Sequence, residues 1–208
     1  TYGYPVISKE QSQYIYDYRN TKSEKMKNLR LNGNDKGGFK ISKKWLYLLD
    51  SPFKISNKCC DVMKKRPFKK FEKETGKKPI VGTMAQESSL RKQQWLQYGC
   101  NSFTGNREKS TPMSFWTEQD ILQYLKRFEI PYAKVYGDII KNKKDELQTT
   151  GADRTGCMFC MFGVHLEKEP NRFQLMKETH PKMWDYCIRE ENGLGLGKVL
   201  DFIGVDYE

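Results

Sequence analysis

Six cysteines occur in this 208-residue chain, and four of them fall into two tight groups: Cys59 with Cys60 in "SNKCCDVMKK", and Cys157 with Cys160 in "RTGCMFCMFG". Thiolates are soft ligands, and two pairs supply the four donors of a tetrahedral zinc site or of an iron-sulfur cluster. The adjacent pair bears on the choice. Neighbouring side chains diverge, so both thiolates reach one small ion only with strain, whereas a cluster offers several metal corners. Zinc ligands are usually separated by two or more residues. The spacing favours a 4Fe-4S cluster on Cys59, Cys60, Cys157 and Cys160; zinc is the alternative, and buried or disulfide-bonded cysteines are the reading without a metal. Met158, Phe159, Met161 and Phe162 interleave the second pair, and Gly156 and Gly163 leave backbone amides near sulfur. Such surroundings shield a cluster and tune its potential, although Met and Phe would form core in any case.

"KCCDVMKKRP" followed far downstream by "RTGCMFC" resembles the cluster-binding pattern of the phosphoadenosine phosphosulfate and adenylyl sulfate reductase family. The resemblance extends from about Tyr2 to His180. It implies a 4Fe-4S cluster beside a nucleotide site, with Lys64, four places after the second cysteine, between cluster and substrate. "GTMAQESSLR" is similar to the family's anion-binding segment, which makes Glu87, Ser88 and Arg91 candidates for the nucleotide or sulfate site. Independently of family, an arginine in the first turns of a helix that follows a strand is well placed to meet an anion. A surface arginine on a helix is the plainer reading. The family also carries a Ser-Gly-Gly phosphate loop and a cysteine in a Glu-Cys-Gly-Leu-His tail, and neither motif occurs between Thr1 and Glu208. The catalytic residue is therefore left unassigned. The chain is expected to be the larger, C-terminal part of the domain, with the loop truncated or supplied by another chain.

Positioning these residues requires a scaffold. Ser8 and Gln11 form a helix-start signal, with a helix through about Tyr18. Residues 20–40 are polar and glycine-spotted and are expected as a loop. "ISKKWLYLLD" predicts a short helix near Ser42, and a basic amphipathic helix follows Cys60, interrupted near Pro67. "KPIVGTMA" is the best strand, feeding a helix over "ESSLRKQQWLQYG" that stops at Gly99. "FWTEQDILQYLKRFEIP" predicts a helix capped by Thr117, and "NRFQLMKE" and "PKMWDYCIREE" a final helical pair, with "VLDFIGVDY" as a strand-like end. A strand running into a helix is half of a parallel crossover unit. The expected fold is α/β: a partial, doubly wound, mostly parallel sheet of the adenine nucleotide alpha hydrolase type over residues 1–140, with a Cys-rich helical lobe over 141–208 packed on it.

Lys and Arg number 37 against 26 Asp and Glu, a formal net charge of +11. That charge concentrates anions, such as a nucleotide, a nucleic acid or an acidic protein, or it merely solvates helix faces. No run approaches the ~18 apolar residues of a membrane span, and no signal peptide opens the chain, so a cytoplasmic protein without a membrane partner is expected. Cys100 and Cys187 read as small buried hydrophobes. His165 and His180 lack a partner spacing. "ENGLGLGKVL" lacks the P-loop's leading glycine and following Ser or Thr, and reads as a turn. Lys64, Lys65, Arg66, Lys69, Lys70 and Lys73 form a basic face that could follow a nucleic-acid backbone.

The expected function is that of a PAPS reductase-family protein binding a 4Fe-4S cluster and acting on an adenylyl sulfate-type nucleotide, with a thioredoxin-like thiol donor. The alternatives are sulfur transfer to a nucleic acid, or a cluster-bearing binding subunit without catalysis.

Overall fold

The computed structural model describes residues 2–103, 108–152 and 155–208. Arg154, which opens the "RTGCMFC" motif, lies outside them. The chain divides into two compact units, residues 1–67 with 156–208, and residues 68–155.

The first unit is built from helices. α1 (Lys9–Asn20) starts where expected, the Ser8 side chain accepting from the Gln11 N–H. The stretch expected as a loop instead contains α2 (Glu24–Asn32), capped by Ser23. Its cause is tertiary: the buried Arg30 guanidinium pairs with Asp17 of α1 at 2.7 Å, lies 4.3 Å from the Tyr14 ring centroid, and donates to the Phe39 carbonyl. A 3₁₀ segment (Lys43–Asp50) follows, burying Leu48. Cys59 and Cys60 open a helical run that passes through one π-helical turn (Asp61–Lys65) into α3 (Arg66–Thr75), which from Phe68 on belongs to the second unit. The π-helical turn, in which the Arg66 N–H reaches back to the Asp61 carbonyl, immediately precedes Pro67, the residue whose missing N–H interrupts the hydrogen-bond ladder of the run.

The remaining helices of this unit form its C-terminal part: α6 (Arg172–Thr179), α7 (Pro181–Ile188) and α8 (Gly197–Phe202). α6 is capped by Asn171, and α7 starts with Pro181 at its first position. The strand expected at "VLDFIGVDY" is α8 instead. Val199, Leu200 and Ile203 are buried together at helical spacing, a period that a run this short does not distinguish from a strand by composition. The core of the unit joins Val6, Ile15, Ile41, Leu48, Met161, Val164, Phe173 and Leu200.

The second unit carries α4 (Ser89–Tyr98), capped by Ser88 and ended at Gly99, and α5 (Glu118–Arg127), opened by a Thr117–Asp120 capping box. It also has two antiparallel two-stranded sheets: β1 (Asn101–Ser102) with β2 (Lys109–Ser110), and β3 (Ile139–Lys141) with β4 (Leu147–Thr149). Mixed helix and strand content fits the α/β class. The doubly wound parallel sheet is not among the described residues; parallel pairing is confined to two single bridges, Tyr4 with Ile55 and Ile80 with Ser110. "KPIVGTMA" contributes only the second of these. A central parallel strand needs apolar layers on both faces, and Ile80 is 77% exposed.

Replacing Arg30 with Ala leaves Asp17 without its partner in a half-buried site. Urea unfolding of that variant is expected to show a loss of about 3 kcal/mol, with α2 losing protection in hydrogen exchange before α1.

Candidate metal centre

Cys59, Cys60, Cys157 and Cys160 all belong to the first unit, and all four line one cavity of about 620 Å³. Lys64 lines it too, together with Tyr2, Tyr4, Lys54, Phe159 and Tyr186. The convergence of segments so far apart in sequence has a backbone cause. The Tyr4 N–H donates to the Lys54 carbonyl at 2.8 Å and the Ser56 N–H to the Tyr4 carbonyl at 3.0 Å, which brings the residues before Cys59 against the N-terminal segment. Three residues on from Tyr4, the Ile7 carbonyl accepts from the Gly163 N–H at 2.9 Å, which brings up the second cysteine pair.

Gly3 is required for the first of these ties. It has φ +88°, and a Cβ there would stand 3.1 Å from backbone atoms of Lys54, Ile55 and Ser56.

The Cys157–Cys160 segment is a turn closed by the Cys160 N–H donating to the Cys157 carbonyl at 2.9 Å. Fully buried Met161 and nearly buried Val164 anchor its exit in the core. Arg172, at the start of α6, donates to the Cys160 carbonyl at 3.0 Å and is itself held by the Glu167 carboxylate. That pairing raises the Arg172 pKa; for Glu167, burial pushes upward, but the hydrogen bonds and charge of Arg172 outweigh it and leave the carboxyl below its usual value.

Cys157 is exposed, and Cys59, Cys60 and Cys160 are half-buried. Burial, followed by the charge of and a hydrogen bond with Cys60, and in smaller measure the charge of Cys160, pushes the Cys59 thiol up to about 11. Cys187 is fully buried in the core from α7, and its thiol is pushed up to about 11 by burial and then by Cys157. Cys100 is only half-buried, its carbonyl accepting from both the backbone N–H and the hydroxyl of Thr111. His165 stays outside the cavity lining, its ring edge-on to Trp45 at 5.1 Å and its Nδ1 without a partner among the described residues. Among the described residues, no three His, Cys, Asp or Glu side chains stand close enough to hold a single metal ion.

Glu87, Ser88 and Arg91 lie in the second unit. The Ser88 hydroxyl caps α4 by accepting from the Arg91 N–H, and the Arg91 guanidinium is ion-paired with Glu87. Arg91 also lines a small pocket with Gln94, Trp95, Tyr98, Lys109 and Thr111.

The cavity adds residues that the sequence did not single out. Lys54 and Tyr186 carry no local signal, whereas glycine between two tyrosines in "YGYP" marks the close backbone approach in retrospect. Of the expected basic face, Arg66 pairs with Asp61 and Lys70 with Glu74, while the side-chain amine of Lys64, like that of Lys54 outside that face, makes no hydrogen bond or ion pair among the described residues.

The family model for the phosphoadenosine phosphosulfate reductase domain matches residues 7–161, well over half of the chain. The chain belongs to the phosphoadenosine phosphosulfate reductase family. The matched span of the family domain takes in both cysteine pairs, Lys64, Glu87, Ser88 and Arg91. No curated protein and no solved structure gave a match. No helix among the described residues is long and apolar enough to cross a membrane.

The lowered Glu167 pKa fixes the sign of a pH effect. Its stabilisation is present above the carboxyl's unfolded pKa and is lost as the pH falls through the folded one. The thermal midpoint should therefore drop as the pH is lowered past about 4, and Glu167→Gln should flatten that part of the profile. An unchanged profile in the variant would show that the pair does not hold the Cys160 turn.

Proposed function

We propose that this family member holds a 4Fe-4S cluster on Cys59, Cys60, Cys157 and Cys160 and acts on an adenylyl sulfate-type nucleotide in the cytoplasm. The observation that carries the reading is that four thiols and an unpaired lysine line one cavity. Three features support the fit of the group. The donor set is purely thiol, which suits iron-sulfur or zinc. Burial, then the neighbouring Cys60 and Cys160 thiols, push the Cys59 thiol up, a penalty on its thiolate that a cationic inorganic core at the site would relieve. The adjacent Cys59–Cys60 pair suits a multi-iron centre better than one zinc ion, because neighbouring side chains diverge while zinc needs its sulfurs within about 2.3 Å of a single point.

The residues of this chain then divide the work. Lys64, with Lys54 beside it on the cavity wall, supplies positive charge for the sulfate of the substrate, and Tyr2, Tyr4 and Tyr186 supply ring surface at the same wall. Within the second unit, Ser88 and Arg91 stand at a helix start, where Arg91 would exchange its Glu87 partner for an anion. The cluster, where bound, would tie the two cysteine segments together, its 2+ core set against four thiolates. Electrons come from a thioredoxin-like dithiol, and the overall conversion balances as adenylyl sulfate plus two thiols giving sulfite, AMP and one disulfide. The finer fold proposed for the nucleotide side is the doubly wound sheet of the adenine nucleotide alpha hydrolase type.

Calorimetric titration of the anaerobically purified protein with adenylyl sulfate tests the assignment. Binding is expected, with Lys64→Ala weakening it about tenfold and leaving bound iron unchanged. An iron-replete protein that ignores adenylyl sulfate, or that binds it equally after Lys64→Ala, contradicts the proposed substrate.

A further inference from the structure

We propose that the aromatic trough on α5 of the second unit is a binding site for single-stranded nucleic acid, which stacks its bases there. Phe115, Trp116, Tyr124 and Phe128 line an open concavity of about 500 Å³ together with Asp120, Gln123 and Arg127. The four rings run in sequence, with centroids 6.5, 5.4 and 4.7 Å apart. Trp116 and Tyr124 meet edge to face at 78°, and the other two pairs are tilted by 48° and 51°. The rings steady one another through tilted and edge-to-face contacts, without parallel stacking. Phe115 is 61% exposed, Phe128 56% and Tyr124 44%, an expensive display of apolar surface for a structural role.

The composition of the lining selects the occupant. It contains no aliphatic side chain; every apolar wall is an aromatic ring, and every other wall is a hydrogen-bonding group. A protein-docking patch would anchor on Leu, Ile or Met as well, whereas bases need ring faces and polar edges. Charge agrees. Arg127 lies 5.5 Å from the Phe128 ring centroid and makes no hydrogen bond or ion pair among the described residues, leaving its five donors for a phosphate. At the other end of α5, Gln119 holds the β3–β4 hairpin through both the N–H and the carbonyl of Leu147, and the turn of that hairpin presents Lys143 and Lys144 without an acidic partner among the described residues. The acidic member, Asp120, is engaged by the Thr117 backbone N–H and hydroxyl at the helix start, which holds its carboxyl below the usual range. Rings in a row with the Arg127 guanidinium at one end combine the two parts of a sequence-tolerant single-strand site. The inference does not depend on the metal or on adenylyl sulfate.

Fluorescence anisotropy of the full chain with a labelled oligouridine of about ten nucleotides tests it. Single strands are expected to bind more tightly than a duplex of the same length, less tightly as salt rises, and with quenching of tryptophan emission. Trp116→Leu and Arg127→Gln should each weaken binding about tenfold, whereas Trp116→Phe should retain binding and lose the quench. Phe39→Ala, an exposed ring in the first unit, should change nothing. Circular dichroism melts of each variant separate lost binding from lost folding, and Phe128→Ala, at an exposed position, gives a second probe of the same trough. Three results would overturn the proposal: no binding at low salt; equal binding of duplex or heparin with no effect of Trp116→Leu; or light scattering showing that the trough joins two copies of the chain and that the same variants only dissociate them.

Discussion

Residues 2–7 hold two otherwise unrelated parts of the chain at once, and the cysteine cavity depends on that. Tyr4 exchanges backbone hydrogen bonds with Lys54 and Ser56, Ile7 accepts from Gly163, and the Ser56 hydroxyl donates to the Tyr2 carbonyl. One extended segment therefore fixes the approach to Cys59 on one side and the exit from Cys160 on the other. The geometry allows no side chain at Gly3, so the position tolerates neither a Cβ nor a negative-φ preference. Further support comes from the sides: Met161 is packed in the core, and Arg172 grips the Cys160 carbonyl while Glu167 grips Arg172.

The same convergence sets the electrostatics. Burial, then the neighbouring Cys60 and Cys160, push the Cys59 thiol up, and Cys187, buried in α7, is pushed up by burial and then by Cys157. A cluster of thiols in this condition is held by packing and backbone hydrogen bonds and gains nothing from its own charge. Positive charge is what the cavity lacks internally. Lys54 and Lys64 provide it at the wall, free of acidic partners among the described residues, while most other cations nearby are engaged: Lys58 with the hydroxyl and ring of Tyr16, Arg66 with Asp61, Arg30 with Asp17. Membership of the phosphoadenosine phosphosulfate reductase family gives that charge distribution a context, since the ligands of such a domain are anions.

What was legible in the sequence was what is decided locally. The caps at Ser8, Ser88 and Thr117 and the Pro181 helix start involve residues three positions apart or fewer, and their helices formed as read. α2 was not legible because Arg30 is paid for by Asp17 and Tyr14 on another helix, and a polar, glycine-spotted stretch gives no hint of such a pairing. "KPIVGTMA" and "VLDFIGVDY" have strand composition, but pairing and packing are non-local: the first found one bridge, and the second used its apolar residues as a helix face. The cysteine pairs were conspicuous by type and spacing. Lys54, five residues before Cys59, was not, because its place at the cavity is set by the tie to Tyr4 and not by any motif. The sequence around α5 showed only a capped helix, and the exposure of Phe115, Tyr124 and Phe128 is what distinguishes the trough.

The central claim is that thiols from two distant segments share one inorganic centre. Mössbauer spectroscopy of anaerobically purified, iron-57-labelled protein, with iron and acid-labile sulfide quantified, measures this most directly. The account predicts about four irons and four sulfides per chain in a single cluster signature, lost on replacing a cysteine of either pair by serine. A colourless protein holding one zinc per chain, or iron that survives replacement of Cys59 and Cys157 together, would contradict it.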